Sequence, residues 1–160
     1  MRSLLPLAGT ARDPSTATAR IVDWAGVLGM LEQIGFVQVG EWRIDRNLKS
    51  QVRFHLTAFQ DTRAIYAYLV GGSLKYIGVC HTTNTTLGKR LARYQNMTGG
   101  GTNERIAGLI RAALLGGETV AIYGWAPPKK MTYNGLPIDL VNGLENPLIA
   151  LLRPEWNRQS

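Results

Sequence analysis

The chain is poor in the groups that build metal clusters and covalent cross-links. Of its 160 residues one is cysteine, Cys80, and two are histidine, His55 and His81. A single thiol excludes an intrachain disulfide and a cysteine–metal cluster. It fits a reducing cytoplasm, which is the expected location. The histidines have no partner at metal or triad spacing, and Cys80 has no base beside it, so all three read as structural. No apolar run approaches the roughly 20 residues of a membrane helix. The stretch from Met1 to Ala11 has one basic residue and a short apolar patch broken by Pro6, so no signal peptide is expected. Gly99-Gly100-Gly101 lacks the Lys-Ser/Thr ending of a phosphate loop. There are no internal repeats, coiled-coil heptads or long low-complexity tracts.

Acid is also scarce. Eleven acidic residues face 18 basic ones, a net charge of +7. That balance favours a polyanionic partner. The positive charge is concentrated: Lys89, Arg90, Arg93, Arg105 and Arg111 lie between Thr86 and Ala112, against Glu104 alone.

Apolar residues make up 45% of the chain, enough for the core of one domain. Residues 1–19 show no period and read as a flexible arm. Asp23 is placed to cap a helix carrying Trp24, Val27, Leu28, Leu31 and Ile34 on one face, ended by Gly35. Residues 36–44 and 51–57 alternate as strands about a turn and predict a hairpin. Segment 20–60 thus reads as an N-terminal extension, a helix plus a hairpin, before a core spanning 61–160. In that core, 64–70 and 75–80 are β-favouring runs about Gly71-Gly72. A helix follows from Leu87 to Tyr94, then a glycine loop over 95–101 and a helix over 103–115 capped by Thr102. A third strand covers 118–125, with its β-favouring run at 119–123, then come a long loop 126–137 and a last helix 140–152. Pro147 leaves two places for Glu145, the first turn or a kink. The expected fold class is α+β, a small antiparallel sheet of three core strands flanked by helices.

Ala64-Ile65-Tyr66 and Tyr76-Ile77-Gly78 put one tyrosine on each strand of the first core hairpin. Downstream come Gly88-Lys89-Arg90-Leu91-Ala92-Arg93-Tyr94, Thr102-Asn103-Glu104-Arg105-Ile106, Gly143-Leu144-Glu145 and Arg153-Pro154-Glu155-Trp156-Asn157. This ordered set resembles the GIY-YIG nuclease superfamily, closest in pattern to its type II restriction endonucleases. The resemblance runs from about Ala64 to Asn157. It departs at Ala64, where the family motif has glycine.

The resemblance implies a metal-dependent endonuclease cutting double-stranded DNA. The catalytic candidates are Tyr66, Tyr76, Arg90, Tyr94, Glu145 and Asn157. Tyr66 would be the general base or the group that orients the water. A tyrosine with the usual pKa of about 10 needs a nearby cation for base work. Tyr76 would hydrogen-bond the water or the phosphate, and Arg90 a non-bridging oxygen. Glu145 would hold one Mg²⁺, with Mn²⁺ able to substitute, and Asn157 would brace the site. Lys75, Lys89, Arg93, Asn103, Arg105, Lys129 and Lys130 are the candidate DNA contacts. Cutting both strands of a palindrome implies a homodimer. Two other functions fit the same chain: a repair, mobile-element or phage nuclease acting on structured or single-stranded DNA, and a non-catalytic nucleic-acid-binding module.

Overall fold

A computed structural model of the chain describes residues 24–158. The expected arm over 1–19 and the Asp23 cap lie outside the described residues. The elements run α1 (Trp24–Ile34), β1 (Val37–Ile44), β2 (Val52–Leu56), β3 (Ile65–Val70), β4 (Ser73–Val79), α2 (Leu87–Asn96), α3 (Gly101–Leu115), β5 (Val120–Trp125), β6 (Met131–Tyr133), β7 (Leu136–Ile138) and α4 (Leu140–Leu152). The class is α+β. The main sheet has five strands in the order β2-β1-β5-β3-β4, and every neighbouring pair is antiparallel. The three expected core strands are β4, β3 and β5. The hairpin β1–β2 is the opposite edge of the same sheet, joined through a β1–β5 ladder that sets Trp42 against Val120.

β3 lies inside the sheet and is buried at all six positions. Its alternation sends Ile65, Ala67 and Leu69 to one face and Tyr66, Tyr68 and Val70 to the other. The first set packs with Leu31 of α1 and with Val141, Leu148 and Leu152 of α4. The second packs with Leu87, Leu91 and Tyr94 of α2 and Ile106 and Ile110 of α3. A sheet covered on both faces explains why 64–70 reads as an unbroken apolar run.

β4 carries a bulge. Tyr68 opposes Tyr76 and Leu69 opposes Leu74, so Lys75 is the extra residue. The extra residue restores the parity that puts Tyr76 on the same face as Tyr66 and Tyr68. Without it, Tyr76 would point at α4.

Three boundaries differ from the sequence expectation. α2 continues to Asn96 and stops at Met97, which turns left-handed at φ 50° and ψ 44°. α3 begins at Gly101 behind Gly100, without a side-chain cap, so Thr102 lies inside the helix and does not cap it. The expected loop over 126–137 contains the β6–β7 ribbon. Its turn is Asn134-Gly135, with φ of 51° and 79°, and both residues accept the left-handed conformation that a two-residue hairpin turn demands. α4 runs through Pro147, which lies in its interior. Glu145 is therefore beyond the first turn.

Candidate active site

The register of β3 against β4 builds the site. Tyr66 lies opposite Gly78, and Tyr68 opposite Tyr76. Gly78 is required there: a Cβ at that position would stand 2.5 Å from the Tyr66 Oη and Cζ atoms. The phenol of Tyr66 thus crosses β4 through the space that glycine leaves.

α2 delivers the other half. Thr86 caps it, its hydroxyl accepting from the Lys89 N–H, and Arg90 and Tyr94 stand one turn apart on the face turned to the sheet. Tyr66 and Tyr94 hydroxyls are 2.6 Å apart. Tyr94 donates to the Tyr76 hydroxyl at 3.1 Å, and Arg90 Nη2 donates to the Tyr94 hydroxyl at 2.9 Å. A hydroxyl has one proton to give and two lone pairs to receive. The proton of Tyr94 goes to Tyr76, so Tyr66 must be the donor in its bond with Tyr94. The oxygen of Tyr94 is then saturated, and Tyr76 keeps its own proton at the end of the chain. Tyr76 is 7% exposed, whereas Tyr66 and Tyr94 are 0% exposed, so the chain ends at its wettest member.

Arg90 is fixed by a second bond, Nη1 to Asn103 Oδ1 at 3.0 Å, and its guanidinium sits 4.4 Å from the centroid of the Tyr94 ring. Its Nε is buried and has no partner. Burial works against the guanidinium charge, but the facing tyrosine oxygens outweigh it and raise the pKa above its ordinary value. Arg90 is a fixed cation.

Burial pushes the phenols of Tyr66, Tyr68 and Tyr94 well up, each reinforced by neighbouring tyrosines and opposed by Arg90. For Tyr66 this is the opposite of what a general base needs. The cation expected to favour its phenolate is present, and burial outweighs it.

Glu145 stands on the second turn of α4. Burial raises its carboxyl pKa, while His81 and Arg90 pull it down. The carboxylate is therefore in the field of the arginine at the tyrosine cluster. It is half-buried and enters no salt bridge among the described residues. No group of three or more His, Cys, Asp or Glu side chains could share an ion with it among the described residues. Such a donor set fits a hard ion that keeps most of its waters, as magnesium does, and does not fit a zinc or calcium cage.

The start of α4 is clamped. Asp139 caps it, accepting from the Val141 and Asn142 N–H groups. Arg63 bonds the same carboxylate through Nη1 and Nη2 at 2.9 and 2.8 Å. The guanidinium also reaches the Cys80 carbonyl at 2.9 Å and the His81 carbonyl at 2.8 Å. Asn142 donates to that His81 carbonyl at 2.9 Å. Arg63 and Asn142 thereby tie the helix that bears Glu145 to the chain leaving β4.

The C-terminal segment braces the other edge. The Asn157 carboxamide accepts from the Ile77 N–H at 2.9 Å and donates to the Ile77 carbonyl at 2.8 Å. Trp156 N–H donates to the carbonyl of the bulge residue Lys75 at 2.8 Å. β4 is an edge strand, and these bonds satisfy the backbone groups that flank Tyr76.

Of the sequence candidates, Tyr66, Tyr76, Tyr94, Arg90 and Asn103 form one bonded group. Glu145 lies within its field, and Asn157 touches the strand of Tyr76. The candidate DNA contacts divide. Lys89, Arg93, Lys129 and Lys130 are exposed. Lys75 pairs with Glu155, and Arg105 donates to the Trp156 carbonyl at 2.9 Å, so both brace the fold. Tyr68, Arg63 and Asp139 escaped sequence reasoning. Tyr68 had a signal, since it lies two residues from Tyr66 and so shares its face. Arg63 had none, because its partners come from residues 80–81 and 139.

No family model and no curated protein matches the chain. Among solved structures it is similar to a mutant of bacteriophage T4 EndoII, with a TM-score of 0.63 and 22% identity over 82% of this chain and 98% of that one. The fold is GIY-YIG-like.

Proposed function

We propose that this chain is a DNA endonuclease that hydrolyses phosphodiester bonds with the help of a divalent ion. The observation that carries the reading is the bonded group Tyr66–Tyr94–Tyr76–Arg90, with a lone carboxylate, Glu145, in its field. The GIY-YIG-like fold shared with bacteriophage T4 EndoII supports it.

Tyr76 holds the one phenolic proton of the bonded chain that is not already committed within it. It is the group placed to orient a water or a phosphate oxygen. Tyr66 acts through Tyr94, fixing its hydroxyl and hence the direction of the Tyr94–Tyr76 bond. Arg90 meets the charge that grows on the phosphorus oxygens, and costs no reorganisation because Asn103 and Tyr94 already hold it. Magnesium bound at Glu145 would supply charge neutralisation at the leaving oxygen, with manganese able to replace it. Asn157 keeps β4, and so Tyr76, in place.

Within this class the chain acts as a sequence-specific type II restriction endonuclease, a homodimer on double-stranded DNA. Two copies of the site would serve the two strands of a palindrome.

The test is digestion of a large unmodified phage genome with Mg²⁺ or with EDTA, alongside Tyr66→Phe and Glu145→Ala. Discrete bands with Mg²⁺, lost in both variants, are expected. A smear lost in both would keep the nuclease and reject sequence specificity. Cutting that survives both substitutions would reject the site.

A further inference from the structure

The β6–β7 ribbon stands out from the rest of the surface. Its register sets Met131 against Ile138 and Tyr133 against Leu136, so these four side chains share one face. All four are exposed, and the tip residues Tyr133 and Leu136 are 69% and 68% exposed. A two-stranded ribbon with an uncovered apolar face is marginal in water and marks a binding surface. From 126 to 138 the only charged residues are Lys129 and Lys130, both exposed at the ribbon's root. At the same root the ribbon runs directly into Asp139 and the helix of Glu145.

We infer that this ribbon is a DNA-docking element, with its apolar face against the bases of a groove and Lys129 and Lys130 on the flanking phosphates. Charge decides between the occupants. The carboxylate nearest a second copy's ribbon, Asp139, is already held by Arg63, and a second copy would bring another net charge of +7, whereas a polyanion neutralises both lysines. A two-stranded ribbon has the width of the DNA major groove, and Tyr, Leu, Met and Ile side chains pack on bases and thymine methyl groups. The inference rests on the nuclease reading and gives it a recognition surface built from residues outside the tyrosine cluster.

The experiment measures binding without cleavage. Full-length protein is titrated in EDTA onto a fluorescent pool of random-sequence duplexes over a range of salt. The proteins are the wild type, Tyr133→Ser/Leu136→Ser and Lys129→Ala/Lys130→Ala. Sedimentation of each is measured without DNA. The apolar variant is expected to lose about fivefold or more in affinity with an unchanged salt slope. The lysine variant should lower that slope by about 2, one for each released phosphate contact. Both sites are solvent-exposed, so folding is retained, which circular dichroism checks. An apolar variant that loses less than this overturns the inference. So does a change in its sedimentation from dimer to monomer, which would give the ribbon to a second copy. Wild-type protein that binds DNA through the ribbon yet never cuts would instead reject the nuclease reading and leave the ribbon standing.

Discussion

Gly78→Ala should damage both stability and cleavage, though it adds only one methyl group. The new Cβ would lie 2.5 Å from Tyr66 Oη and Cζ, where ordinary contact begins at 3.4 Å. The ring must retreat by about 0.9 Å, and close packing leaves it nowhere to go. Tyr66 is 0% exposed, with its ring centroid 5.6 Å from that of Tyr68 and 6.3 Å from that of Tyr94. A retreat of that size also breaks the 2.6 Å bond to Tyr94. Overpacking plus one lost buried hydrogen bond should cost about 2–4 kcal/mol. The misplaced hydroxyl chain should lower the cleavage rate about 100-fold. Urea denaturation and single-turnover cleavage read the two effects. Gly108→Ala is the control: it lies inside α3, a Cβ there meets no atom within 4 Å, and it should stabilise by about 0.8–1 kcal/mol. Gly78→Ala within about 0.5 kcal/mol of wild type, with normal cleavage, would refute the reasoning.

Arg90→Lys keeps the charge but loses the fork that reaches Asn103 and Tyr94 together, so single-turnover cleavage should fall about 10²–10³-fold while the protein stays folded. Glu145→Gln should abolish cleavage yet raise the melting temperature at pH 7. Burial lifts the folded pKa of Glu145, so its unfavourable contribution grows as pH rises through the unfolded value, and the gain should vanish when melting is repeated well below pH 4. Alkaline titration followed by phenolate absorbance should leave Tyr66, Tyr68 and Tyr94 silent near pH 10. Their raised folded pKa values preserve full stability below the unfolded value and lose it as pH climbs above it, so these three should ionise together with unfolding. Independent ionisation of all six tyrosines before unfolding would contradict the buried cluster.

The sequence by itself determined most of the element order and named the candidate side chains of the site. Local periodicity, the Gly71-Gly72 turn and the Asn134-Gly135 pair are written in neighbouring residues, and the last was legible although only a loop was expected there. Tyr66, Tyr76, Arg90, Tyr94 and Glu145 could be picked out as candidates because each lies in a segment that resembles a GIY-YIG motif. What the tertiary structure alone decided is how these groups meet. The bulge at Lys75 decides that Tyr76 faces Tyr68, and bulge position follows from strand pairing across the sheet. The direction of the hydroxyl chain, ending at Tyr76 and not at Tyr66, follows from counting donors among residues 66, 76, 90 and 94. The joining of the N-terminal hairpin to β5 links residues some 80 positions apart in sequence, as does the Arg63–Asp139 clamp under Glu145. Burial reversed the expected effect on the Tyr66 phenol because desolvation depends on everything packed around a group, and no local pattern of residues records that.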